Sequence, residues 1–104
     1  MNYLSEIAAQ IRGELVGALP DGDVSRLLEI YAVLVLALGS TVTAADVHNA
    51  WAAWMTPQDP RHPSIVPFEH LDPVTASSDE PFAEALRKVA ARLQLGPQGP
   101  RCSQ

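Results

Sequence analysis

Five prolines, Pro57, Pro60, Pro63, Pro67 and Pro73, stand within one short stretch and constrain the fold of this chain more than any other feature. Each fixes φ near about −65° and lacks a backbone N–H, so neither a long helix nor a central strand can run through them. Thr56 to Ser78 is therefore read as one irregular loop. A loop of that length in a compact domain carries function or is pinned down by its own side chains, and Ile65, Val66, Phe68 and Leu71 are the candidate pins.

On both sides of this loop the apolar residues recur at helical spacing. Leu4, Ile7, Ala8, Ile11 and Leu15 form one stripe, which predicts a helix from about Asn2 to Ala18 with Glu6, Gln10, Arg12 and Glu14 on its outer face. A second helix is expected to start with Asp21 or Asp23 as its cap and to close at Gly39. It is amphipathic through Val24, Leu27, Leu28 and Tyr31, then apolar all round from Ile30 to Leu38, which predicts a central helix buried on several sides. A strand at the end of that segment is the lesser alternative, since Ile, Val and Tyr also suit strands. Thr43 with Asp46 three residues on reads as the capped start of a third helix through Met55, with Val47, Ala50, Trp51 and Trp54 on one face and His48 beside it. The last helix begins near Asp79, carries Pro81 in its first turn and buries Phe82, Leu86, Val89, Ala90 and Leu93. The expected fold is all-α, about four helices, with the proline-rich loop packed between helices three and four.

At 104 residues the chain can build one core. The expected organisation is a single helical domain over 1–95 and, from the Gly/Pro/Gln-rich composition, a flexible tail over 96–104. The net charge of −5 arises in the first sixty residues, where seven acids face only Arg12 and Arg26. Such a surface repels phosphate backbones and anionic membranes, so neither polymeric nucleic acid nor a membrane is an expected partner. Cys102 is the one cysteine, which leaves no internal disulfide and no thiolate metal site. The start of the chain lacks the charged flank and apolar run of a signal peptide, and Ile30 to Leu38 is about half of a membrane-spanning length. A cytoplasmic setting is expected.

Three histidines, His48, His62 and His70, lie fourteen and eight residues apart, a spacing that fits no zinc pattern, so no metal is expected. For His48 and His62 the bland role is structural, a ring nitrogen fixing a backbone carbonyl in the proline loop. Ser64, Ser77 and Ser78 are candidate nucleophiles by type only. No Gly-x-Ser-x-Gly elbow and no glycine-rich phosphate cradle accompanies them, and Glu69, Asp72 and Asp79 near a helix start read as caps. An enzyme is not the expected reading, and no cofactor is implied.

Three blocks of the chain resemble a known family. Asp46 to Met55, DVHNAWAAWM, carries a His followed three residues later by a Trp. His62 to Leu71, HPSIVPFEHL, carries a His-Pro, an aliphatic pair, a second Pro and an aromatic. Asp79 to Phe82 opens the closing helix with acids and an aromatic. In order and spacing they resemble the ryanodine-receptor-type repeat domain, the RyR domain, in a short prokaryotic or phage form. The likeness covers Asp46 to Ala90 and divides the domain into a helical extension over 1–40 and an RyR-like module over 43–93. That extension resembles those of small actinobacterial and actinophage proteins. Between the first two blocks the family carries a Gly-Trp and Tyr-Gly element, where this chain has only Thr56 to Arg61.

The resemblance implies a non-catalytic module, in a phage or bacterial defence or regulatory setting, that binds a small nucleotide-like ligand or a protein partner; for a phage protein the compartment would be the host cytoplasm. The ligand-binding residues it implies are His48, Trp51, His62, Pro63, Pro67 and Phe68. Planar rings stack on Trp and Phe, and the imidazoles and loop amides are expected to serve an anionic group. The alternative makes the same residues plain core and assigns function to a homo-oligomer formed through helix one or through Val33 to Leu36.

Overall fold

The computed structural model describes residues 2–93 and is all-α, with no strand among them. The expected tail lies outside the described residues. Four long helices, α1 (Tyr3–Glu14), α2 (Ser25–Leu38), α3 (Ala44–Met55) and α5 (Glu80–Arg92), are joined by a short α4 (Pro73–Ser77) and by 3₁₀ turns at Gly39–Thr41 and Phe68–His70. α2 is the centre of the packing, touching α1, α3 and α5.

Local chemistry explains most boundaries. Asn2 caps α1 by accepting the Ser5 N–H at 2.9 Å. Thr43 and Asp46 form a reciprocal capping box at the head of α3, with the Thr43 N–H donating to the Asp46 carboxylate at 2.9 Å. α1 stops at Glu14, short of the expected Ala18, because Leu15 turns inward and Gly17, at φ +87°, reverses the chain in a region that favours glycine. At α2 the cap residue is the buried Val24, while Asp23 accepts the Ser25 N–H at 2.9 Å from one position further out. Gly39 closes that helix at φ +57°, as its position suggested.

The core joins Ile7, Ile11 and Leu15 of the first helical segment to Leu27, Leu28, Tyr31, Ala32 and Val35 of α2. From the other side it receives Val47, Ala50 and Trp54 of α3 and Ala83, Leu86, Val89 and Ala90 of α5. α2 is central but not enclosed: Val33 and Leu36 are 51% and 42% exposed, where the apolar run predicted burial all round. Three elements pack on α2, and its fourth side is left to solvent. Polar straps close the edges. Arg92 reaches from α5 to Glu14 and Gln10 on α1. Arg87 donates to the carbonyl of buried Val42 at 2.6 Å and to Glu80 at 2.7 Å.

The expected loop Thr56 to Ser78 is partly helical. Asp72 accepts from the Thr75 N–H and hydroxyl, and Pro73 occupies the first turn of α4, where its missing N–H leaves nothing unsatisfied. Among the described residues no helix is long and apolar enough to cross a membrane.

Candidate functional site

A cavity of about 320 Å³ opens where the helices meet the proline segment. Its floor is Leu27 and Tyr31 of α2. One wall is His48 and Trp51 of α3, and the opposite wall is Ser78, Asp79 and Phe82 at the start of α5. Ala18 and Pro20 from the turn after α1, Ser64 from the proline segment and Thr75 of α4 complete the rim. The volume lies at the lower end of the range of small-molecule sites.

His48 is the pivot of this region. Its ring is 3% exposed, and Nε2 stands 2.6 Å from the carbonyl of Val66, so Nε2 carries the proton that donates there. Nδ1 faces the Asp79 carboxylate at 3.9 Å, beyond hydrogen-bond range. His48 lies flat against Trp51, ring centroids 5.8 Å apart, and Phe68 packs on it at a tilt at 6.1 Å. The structural role foreseen for a histidine is thus filled by His48. His62 acts differently: its Nδ1 accepts the Ser64 N–H at 3.1 Å, and its ring meets the Trp51 ring edge-on at 5.0 Å.

Of the six residues implied by the resemblance, only His48 and Trp51 line the cavity. His62 and Phe68 brace those two rings from behind. Pro67 lines a shallow groove on the far side of His48, with Asn49, Ile65 and Val66, and Pro63 is exposed outside both. Trp51 therefore shares the cavity with residues of α2 and α5 as well as with Ser64 of the proline segment. Trp51 is half-buried and Trp54 is the core tryptophan, although both were placed on the inward face.

No Lys or Arg lines the cavity, a carboxylate does, and the ring nitrogens His48 Nε2 and His62 Nδ1 are engaged by backbone groups. Tyr31, Asp79 and Phe82 were read from the sequence as core, cap and core. Tyr31 is 2% exposed, its ring is tilted against Phe82 at 6.3 Å, and its hydroxyl has no hydrogen-bond partner among the described residues. Burial, and secondarily the charge of Asp79, hold its phenol well above the ordinary range. Burial also pushes the Asp79 carboxyl up, with His48 opposing.

A Ser-His-Asp relay does not fit this geometry. Such a relay needs one imidazole nitrogen on the acid and the other on the nucleophile, and Nε2 of His48 is committed to Val66. The Ser78 hydroxyl is likewise engaged, donating to the Thr75 carbonyl at 2.6 Å. Among the described residues no group of three or more His, Cys, Asp or Glu side chains is placed to hold a metal ion.

No curated protein and no solved structure matches the chain. One family model spans residues 2–91, taking in the first forty residues and the His/Trp/Pro blocks as one unit, in keeping with a cavity built from both. The chain belongs to that family, described as a domain of unknown function, DUF7701.

Proposed function

We propose that this chain is a non-catalytic binding module whose cavity between α2, α3 and α5 receives a small planar ligand, a nucleobase-like ring among the candidates. The observation that carries the reading is the cavity's composition: the rings of Tyr31, Trp51 and Phe82 line it together with a few polar groups, of which the Tyr31 hydroxyl and the Asp79 carboxylate have no hydrogen-bond partner among the described residues. Apolar walls with a few convergent polar atoms are what a small-molecule site requires. The His48 bond to Val66 supports binding over catalysis, because it holds the ring still at the cavity wall. The likeness of Asp46 to Ala90 to the RyR repeat points the same way. For a nucleotide, the ring would enter and the phosphate would stay at the mouth, since the lining offers no cation.

A thermal-shift screen with nucleosides, mononucleotides, cyclic dinucleotides and ADP-ribose derivatives tests this. A ligand at a hundred times its Kd stabilises by about 2.7 kcal/mol. No shift with any compound, together with a dimer that covers the cavity mouth, would favour the second reading. That reading, a homo-oligomer through the outer side of α2, draws on the exposure of Val33 and Leu36 one helical turn apart.

A further inference from the structure

Asp79 occupies the N-cap position of α5, yet its carboxylate caps nothing. At the heads of α1, α3 and α4 the corresponding side chains of Asn2, Thr43 and Asp72 each accept a backbone N–H from three residues on. Asp79 makes no such bond. Its side chain is 18% exposed, and its paired group is His48 Nδ1 at 3.9 Å, too far to donate a hydrogen bond. The carboxylate is partly buried and lines the cavity without a hydrogen-bonded partner among the described residues, so it is an acceptor open to something outside the chain.

Tyr31 supplies an independent second observation. Its hydroxyl, on a side chain almost wholly buried in the wall of the same cavity, has no protein partner among the described residues. With Nε2 of His48 donating to Val66, the other ring nitrogen, Nδ1, is left on the side of Asp79. The cavity lining therefore brings together the Asp79 carboxylate and the Tyr31 phenol, both able to accept, with Trp51 and Phe82. Arg87, the cation near the head of α5, is turned to Val42 and Glu80. Acceptors among aromatic side chains, with no Lys or Arg in the lining, complement a positive charge that carries N–H donors.

We propose that the cavity takes a small organic cation, an amidinium or an ammonium on a flat aromatic body, with its N–H groups on Asp79 and its ring against Trp51 and Phe82. The proposal rests on the reading of this cavity as a ligand site and names the charge of what enters it. His48 from α3 and Tyr31 from α2 are the titratable groups that share the lining with Asp79.

Benzamidine, benzamide and benzoate present the same ring as a cation, a neutral amide and an anion. Each is titrated into the full chain at neutral pH and followed by Trp fluorescence and by amide chemical shifts. Benzamidine is expected to bind at least about ten-fold tighter than benzamide, with benzoate not bound; a ten-fold ratio is a modest demand for one charge-assisted contact. Asp79→Asn removes no cap bond and keeps the side-chain volume. It is expected to abolish the preference, so that the variant binds benzamidine no tighter than benzamide. Benzoate binding as well as benzamidine, or a benzamidine preference that survives Asp79→Asn, overturns the charge assignment and leaves the cavity reading standing. Binding by none of the three overturns both. The series in the unaltered chain decides the charge preference even if the variant fails to fold.

Discussion

Replacing Tyr31 by Phe isolates one oxygen atom. The ring is 2% exposed and packed beside Phe82, so the substitution keeps the apolar contacts and deletes only a hydroxyl that has no protein partner among the described residues. Burying a hydroxyl without a partner costs about 1–3 kcal/mol. The cavity beside it is polar and roomy enough to admit water, which places the cost at the low end. Tyr31→Phe is therefore expected to stabilise the fold by about 1 kcal/mol. That corresponds to a rise in Tm of roughly 4–8 °C for a domain of this size.

Urea unfolding should show a higher midpoint with an unchanged m-value. The pH profile supplies a second readout. The phenol's folded pKa is raised, so its contribution to stability is intact below the ordinary tyrosine range and is lost as pH climbs toward the folded value. Across that window the unaltered chain should lose up to about 1.4 kcal/mol per pH unit that the variant keeps. A Tyr31→Phe chain that is less stable at neutral pH would show that the hydroxyl is paired, and one that loses stability in alkali as steeply as the parent would show that folding does not raise the phenol's pKa. The reasoning would then fail, and with it one of the acceptors assigned to the cavity.

Trp54→Ala should destabilise by about 3–5 kcal/mol, and Trp51→Ala by clearly less, because only Trp54 lies in the core; equal losses in urea melts would contradict this. Asp79→Asn should raise Tm at neutral pH. The carboxyl's folded pKa is raised, so its stability contribution is present below the ordinary carboxylate value and lost as pH rises through the folded one. The difference between variant and parent should therefore vanish near pH 3, and a difference that persists there counts against the assignment. His48→Ala should cost about 1–3 kcal/mol by leaving the Val66 carbonyl unpaired. It should also speed amide exchange across the proline segment more than at the core of α1.

Where burial follows from periodicity alone, the sequence was readable. The Ile7, Ile11 and Leu15 stripe, the inward face of α5 and the Thr43–Asp46 box all lie where spacing and capping chemistry put them. α4 was missed although Asp72-Pro73 is a helix-start signal, because the prolines around it argued for a loop throughout. His48 lies deeper than Trp51 for a reason no helical wheel contains: its partner, the Val66 carbonyl, is eighteen residues away. The cavity shows the same limit. Tyr31, Asp79 and Phe82 were assigned local roles, core and cap, and the shared space between them exists only once α2, α3 and α5 are packed.

That shared space also bears on the order of events as the chain folds. Ala18 and Phe82 both line it, so its walls come from nearly the whole described chain, and α5 supplies the last of them. A chain still lacking α5 has no pocket to offer, however well α1 to α3 have formed. On the reading proposed above, capacity to bind would be acquired late, once α5 has docked. In a cell, occupancy of this site would distinguish finished molecules from unfinished ones, and bound ligand would slow the first opening of α5.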